Sequence, residues 1–189
     1  MLDLSPLPLV TERLQLRLHR PDDDVWLHDI YPQAEVARFL LKEPWTREEA
    51  GQHLDTRLAK TDLDGPTTAL ALVIEHEGSP IGDISLWMTN AERRVAEIGW
   101  VLDPRFGGKG FAREAVRAVA DMGFDHYRLH RIAAQMDARN TASAKLAATV
   151  GMQQEAHLRQ DWWNKGEWTD TLIFGALSSD PRSPLAPLA

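Results

Sequence analysis

Cysteine is missing from this chain altogether. Disulfides, thiolate metal sites and a cysteine nucleophile are therefore excluded. No run of about 18 apolar residues occurs either, so no membrane-spanning helix is expected. The start, Met1-Leu2-Asp3-Leu4-Ser5-Pro6, has neither the basic region nor the apolar stretch of a signal peptide, which makes a cytoplasmic protein the default expectation. Positive charge is scarce, with 21 Lys and Arg against 28 Asp and Glu and a formal net charge of −7. That balance argues against nucleic-acid binding, which needs a basic face, and is compatible with cationic partners such as amines. The seven histidines are scattered without H-E-x-x-H or comparable ligand spacing, so no metal site is expected. Internal repeats are lacking too. At 189 residues the chain is one domain by size, long enough to bury a core.

Against this background the loop Arg105-Phe106-Gly107-Gly108-Lys109-Gly110-Phe111-Ala112 stands out. It follows a strand-like run, Ala96 to Leu102, and opens a helical pattern that continues to Phe124. Its glycines let the backbone approach a ligand closely and take positive φ. Arg105, Lys109 and Arg113 add positive charge beside a helix start, which presents free N–H groups and the positive end of a dipole. The combination describes a cradle for a phosphate or pyrophosphate. A Walker A loop would need glycine where Asp103 stands, and Gly110 follows Lys109 in place of Ser or Thr. A dinucleotide fingerprint starting at Gly108 would need glycine at Arg113. What remains is R-x-x-G-x-G at Arg105, Gly108 and Gly110.

Alternation at Leu14, Leu16 and Leu18 predicts a half-buried first strand. Pro21-Asp22-Asp23-Asp24 reads as a helix start, with helical segments over Asp24–Ile30 and Ala34–Leu41. Thr46 and Glu49 form a capping box before a helix reaching about Lys60, and Asp62–Pro66 reads as a loop. Strands follow at Thr68–His76, Pro80–Met88 and Val95–Leu102. Ala112, Ala115, Val116, Val119, Ala120 and Gly123 share one face of the helix after the loop. A strand at Arg131–Asp137, a helix over Asn140–Val150 and strands around Glu155–Trp162 and Thr169–Leu177 complete the order. The proline-bearing tail 178–189 is expected to be disordered. The sum is an α/β fold with a mixed sheet in one domain, residues 1–177.

The glycine loop resembles the coenzyme A pyrophosphate loop of the GNAT N-acetyltransferase superfamily. Asn140-Thr141-Ala142-Ser143, with its helix closing on Gly151-Met152, resembles that family's N-x-x-S segment. Thr11 to Arg17 and Gly166-Glu167-Trp168-Thr169-Asp170 are similar to the RimJ/RimL branch, which acetylates ribosomal-protein N-termini. The resemblance spans roughly residues 10–177. It implies a mixed sheet of six or seven strands, splayed open where acetyl-CoA lies as co-substrate. It further implies cofactor contacts from Val101, Leu102, Arg105, Gly107, Gly108, Lys109, Gly110, Phe111, Ala112, Asn140 and Ser143.

Acetyl transfer to an amine needs the amine neutral, although free amines titrate at about 8–10, so a proton acceptor is useful. Glu97 is the first candidate. In a strand it shares a face with Val95, Gly99 and Val101, and a carboxylate among apolar neighbours is raised toward neutral pH. The alternative is an ordinary polar strand residue or a partner for an arginine. By resemblance, a backbone N–H near Val101 meets the oxyanion, and Asn140 orients the coenzyme arm, while by position Asn140 is also a plain helix cap. Many superfamily members place a tyrosine seven residues after that Asn to protonate the leaving thiolate. Here Ala147 stands there, and Ser143 becomes the candidate donor. Asp161, beside Trp162 at the place of a branch carboxylate, would turn to the other face by alternation. Trp45, Trp87, Trp162 and Trp163 are candidates for an acceptor pocket or for core.

The reading is an acetyl-CoA-dependent N-acetyltransferase acting directly on a primary amine, either a protein N-terminus or a small molecule. No nucleic-acid or membrane partner is expected, and a homodimer is left open. Two rivals stand beside it: a catalytically silent acyl-CoA-binding module and a nucleotide-binding domain using the same cradle.

Overall fold

The alternation of Leu14, Leu16 and Leu18 is realised as a strand whose first two leucines are buried to 3% and 0% exposure and whose third is half-buried. In this computed structural model, residues 6–40 and 43–182 are described. The chain runs β1 (Leu9–Val10), β2 (Leu14–Leu18), α1 (Asp24–Ile30), α2 (Ala34–Ala37), α3 (Arg47–Leu58), β3 (Thr61–Asp62), β4 (Ala69–His76), β5 (Ser79–Asn90) and β6 (Val95–Leu102). After a 3-10 turn at Pro104–Phe106 come α4 (Phe111–Asp125), β7 (Arg131–Asp137), α5 (Thr141–Thr149), β8 (Gln153–Asn164) and β9 (Glu167–Leu177). The capping box forms as expected, with Thr46 Oγ1 accepting from Glu49 N at 3.2 Å and Thr46 N donating to Glu49 Oε2 at 2.8 Å. Helix α2 is shorter than expected. Leu40 N bonds back to Ala37 O at 3.1 Å, a tight turn that ends it, and Leu41 lies outside the described residues.

One mixed sheet carries the fold in the order β1-β2-β4-β5-β6-β7-β9-β8, with β3 paired to β4. Among the described residues it has nine strands where six or seven were expected. The extra ones are the two-residue β1 and β3, too short to leave a sequence period. Strand β4 is buried from Ala69 to Ile74, which explains its continuous apolar run. Alternate residues of β6 feed two cores on opposite faces of the sheet. Ala96, Ile98, Trp100 and Leu102 pack with α4 and α5, while Val101 packs with Leu27, Ile30, Trp45 and Leu54 of the α1–α3 layer.

Helix α4 buries Val116, Val119 and Met122, each contributing about 1.5–3 kcal/mol by removal from water. It sits so close to the sheet that a Cβ on Gly123 would stand 3.0 Å from both Ile132 Cδ1 and Leu129 Cδ1. Chain order past 177 continues beyond the expected boundary. Ser178 N donates to His130 O at 3.0 Å, and Arg182 pairs with Asp125 at 2.8 Å. The rest of the tail, 183–189, lies outside the described residues. No helix among the described residues is long and apolar enough to cross a membrane.

One junction matters most for function. All neighbouring strands are antiparallel except β6 and β7. That parallel pair holds only between Val95–Glu97 and Arg131–Ala133. From Ile98 onward β6 keeps β5 on one side, and its other edge opens into a cleft.

Candidate active site

The sheet forks at Glu97, and a cleft of about 1030 Å³ fills the gap between the diverging strands. Of the twelve catalytic and coenzyme-contact candidates, ten line it: Glu97, Val101, Leu102, Gly107, Gly108, Gly110, Phe111, Ala112, Asn140 and Ser143. Arg105 and Lys109 do not.

One end of the cleft is built by the glycine loop. Gly108 and Gly110 adopt φ of +73° and +79°, the left-handed region that favours glycine, and Gly110 is the N-cap of α4. A Cβ on Gly108 would meet nothing within 4 Å, so its face of the loop is open space. The first α4 amide to bond back is Glu114 N, to Gly110 O at 3.0 Å. The N–H groups of Phe111 and Ala112 therefore lie outside the helix's own bonding. Arg13 braces this loop from the first strand's approach. Its Nη1 donates to Lys109 O at 2.9 Å and its Nε to Glu114 Oε2 at 2.8 Å, while Thr11 Oγ1 donates to Glu114 Oε1 at 2.6 Å. That gives the Thr11-Glu12-Arg13 segment a physical task.

Arg105 serves the loop differently from the expectation of a charge aimed at phosphate. Its guanidinium turns back onto Asp103, with Nε 2.8 Å from Oδ2, and reaches Asp29 at 3.0 Å. Burial would raise the Asp103 carboxyl, but Arg105's hydrogen bonds outweigh it and hold that group below the usual carboxylate range. Lys109 places its ammonium over the Phe106 ring at 5.3 Å. The cationic side chains that do line this end are Arg113 and Lys145. Lys145 had a readable signal: Ala142, Lys145, Leu146 and Thr149 form one stripe of α5, all on the cleft wall.

At the fork, Glu97 accepts from Gln135 Nε2 at 3.1 Å across the β6–β7 gap. Burial raises its pKa, and the Gln135 hydrogen bond opposes the rise without cancelling it. Trp87 lies opposite Glu97 in the β5–β6 register, and its indole would meet a Cβ on Gly99 at 3.4 Å, so the ring floors the cleft beside the carboxylate. Asn140 caps α5, its Oδ1 accepting from Ser143 N at 3.1 Å. That use of the oxygen leaves the Nδ2 donors for another partner. Trp162 lines the cleft and Asp161 does not, as strand alternation requires.

A further part of the cleft lining was not visible in the sequence. Tyr31 at the C-terminal cap of α1, Asp83 of β5 and Arg57 of α3 close a buried triangle there. Tyr31 Oη donates to Asp83 Oδ1 at 2.6 Å, Arg57 Nε to Asp83 Oδ2 at 2.7 Å, and Arg57 Nη2 to Tyr31 Oη at 2.7 Å. Burial pushes the Tyr31 hydroxyl well above its ordinary value, so it stays protonated and remains a donor. Trp45 stacks on Tyr31 at 3.7 Å and on His53 at 3.9 Å, of which Trp45 was a candidate pocket residue and proves to be core. Behind the triangle His19 lies between two carboxylates, 3.7 Å from Asp23 and 4.0 Å from Asp83. Burial lowers its pKa to about 4, so the ring is neutral near pH 7.

A family model for an acetyltransferase (GNAT) domain matches residues 13–153. The chain belongs to the GNAT acetyltransferases. It is similar to N-acetyltransferase p20 of Bacillus licheniformis, 31% identical over 91% of this chain and 97% of that one. A solved GNAT acetyltransferase from Bacillus anthracis shares the fold with a TM-score of 0.82, at 24% identity over 90% and 98% of the two chains. So does RimL, a ribosomal alpha-N-protein acetyltransferase solved with coenzyme A, with a TM-score of 0.81 at 19% identity over 92% and 99%. This GNAT chain is an acetyl-CoA-dependent N-acetyltransferase. Its cleft suits that co-substrate. The αL glycines, Gly108 facing open space, and the Phe111 and Ala112 amides outside the helix's own bonding match a diphosphate, and the β6 edge beyond Glu97 offers backbone groups to an amide-bearing arm.

Proposed function

We propose that this enzyme transfers acetyl directly to a primary amine at the fork, with Glu97 as the proton acceptor. The observation carrying this is the position of Glu97: it is the last β6 residue paired to β7, half-buried, with its pKa raised by burial. A carboxylate raised toward the working pH is a better proton acceptor than an exposed one. Bound acetyl-CoA would supply an activated thioester carbonyl. The amine nitrogen forms the new C–N bond as the C–S bond breaks, and Glu97 receives the proton that the nitrogen sheds, directly or through a water. A backbone N–H near Val101 donates to the carbonyl oxygen as negative charge grows there. The Ser143 hydroxyl hydrogen-bonds the departing sulfur. Arg113, Lys145 and the amides of Gly108, Gly110, Phe111 and Ala112 hold the diphosphate, with Asn140 Nδ2 and the Val101 and Leu102 backbone on the arm. Direct transfer is supported by the lack of any cysteine to form an acyl-enzyme through sulfur.

The test is amine-dependent release of coenzyme A thiol from acetyl-CoA across a panel of primary amines, beside a calorimetric titration with acetyl-CoA. Turnover coupled to an amine is the expected result. Saturable binding without turnover on any amine would instead favour a silent acyl-CoA-binding module.

A further inference from the structure

The far wall of the cleft is the β8–β9 hairpin, and its tip does not project freely. Asn164 pairs with Glu167, so Lys165 and Gly166 form a two-residue turn. Their φ values, +49° and +81°, are those of a type I′ turn, which favours Asn-Gly. Lysine in the left-handed region costs about 1–2 kcal/mol in regular structure. Something must offset that choice. Lys165 Nζ donates to Ala37 O at 2.5 Å, at the C-terminal end of α2, and Asn164 Nδ2 donates to Leu40 O at 3.4 Å.

A second irregularity brings the tip there. Between Leu158 and Trp162 the register slips, so that three β8 residues face one β9 position. The bulge is pinned by Asp170, whose carboxylate accepts from Gln160 N at 2.9 Å and lies 2.7 Å from His157 Nε2. Bulges bend the strand that carries them, and here the distal hairpin meets α2. The two walls it joins bear Glu35, Val36, Phe39 and Trp162, and the floor between them carries Trp87 and Glu97.

We infer that Lys165 is a specificity-determining clasp that closes the acceptor end of the cleft, restricting the enzyme to small primary amines with an apolar body. This rests on the transferase reading above. A polypeptide N-terminus needs an outlet for the chain that follows it, and the clasp ties the two walls together where that outlet would be. The carboxylates suit a cationic ammonium, and the aromatic rings suit an apolar body and its cation.

Phenethylamine and an unstructured, lysine-free octapeptide with a free serine N-terminus serve as probes, with kcat and KM read for each at saturating acetyl-CoA. The parent should use phenethylamine at least about a hundredfold better by kcat/KM. Lys165→Asn keeps a residue that the turn prefers and removes only the long donor, so the hairpin is retained. It should narrow that ratio about tenfold, as expected for loss of one charge-assisted hydrogen bond, mainly through a lower peptide KM. Lys165→Arg should restore the parent's ratio. Equal use of both amines by the parent, or an unchanged ratio in Lys165→Asn, would overturn the inference while leaving acetyl transfer intact. Hydrogen exchange over residues 33–40 gives a readout independent of turnover. Lys165→Asn should speed it severalfold, and unchanged exchange would remove the clasp. Absence of turnover with every amine would count against the transferase reading, not against the clasp.

Discussion

The two ends of the cleft are made of different material. At the proposed coenzyme end the ligand-facing groups are predominantly main chain, namely two αL glycines, the first amides of α4 and the unpaired edge of β6, with the side chains of Arg113, Asn140 and Lys145 beside them. At the acceptor end they are side chains drawn from α1, α2, α3, β5 and β8, locked by the Tyr31–Asp83–Arg57 triangle and the Lys165 contact. A backbone cradle tolerates variation in its side chains and fails when a glycine is replaced. A side-chain pocket is the reverse, because each wall residue sets shape and charge. The contrast accounts for how one coenzyme site can coexist with acceptor sites of different character.

The largest expected effect breaks the acceptor end. Arg57→Met would leave the Asp83 carboxylate, 3% exposed, without its cation. Removing one partner of a buried pair costs about 3–5 kcal/mol, readable by denaturant unfolding. Acetyl-CoA affinity should change little, since none of the three side chains comes from the glycine loop or from α4. A comparable loss of affinity would show that the two ends are not separable.

A somewhat smaller effect breaks the coenzyme end. Gly108→Trp forces a side chain onto a φ of +73° and into the open face of the loop. The strain, about 1–2 kcal/mol, is carried by the free and the bound protein alike and falls on stability, while occlusion of the loop should lower acetyl-CoA affinity at least about tenfold. Calorimetry on the folded variant reads this directly, and unchanged affinity would remove the loop as the diphosphate site.

The same contrast explains what the sequence revealed. Bounds for α1, β6 and β7 agree with expectation because their periodicities are local and uninterrupted. The capping box at Thr46 and Glu49 and the cap at Asn140 are likewise short-range. The glycine loop was legible because positive φ has a residue signature. Arg105 was misleading in its direction: nothing local shows that Asp103 and Asp29 would take its guanidinium. The Tyr31–Asp83–Arg57 triangle joins residues 26 to 52 positions apart through polar contacts that carry no period. The β8 bulge depends on Asp170, ten residues away from Gln160, and a bulge leaves no mark in an alternation already broken by exposed tryptophans. Residues 178–182 were expected to be loose because prolines and small residues dominate the tail, yet Arg182 finds Asp125 on α4.

The account turns on Glu97, where the two ends meet, and its pH–rate profile is the most direct measurement. Burial raises this carboxyl above its ordinary value of 4.5. As a base it works only when ionised, so the parent's kcat/KM should climb with pH through an acid limb above that value. The amine's own limb, at about 8–10, follows in every variant. Glu97→Gln should be slower by roughly a hundredfold to ten-thousandfold, the usual range for a general base, and should lose the acid limb while binding acetyl-CoA as before. A Glu97→Gln profile that keeps both the rate and the acid limb of the parent would contradict the assignment of Glu97 as proton acceptor.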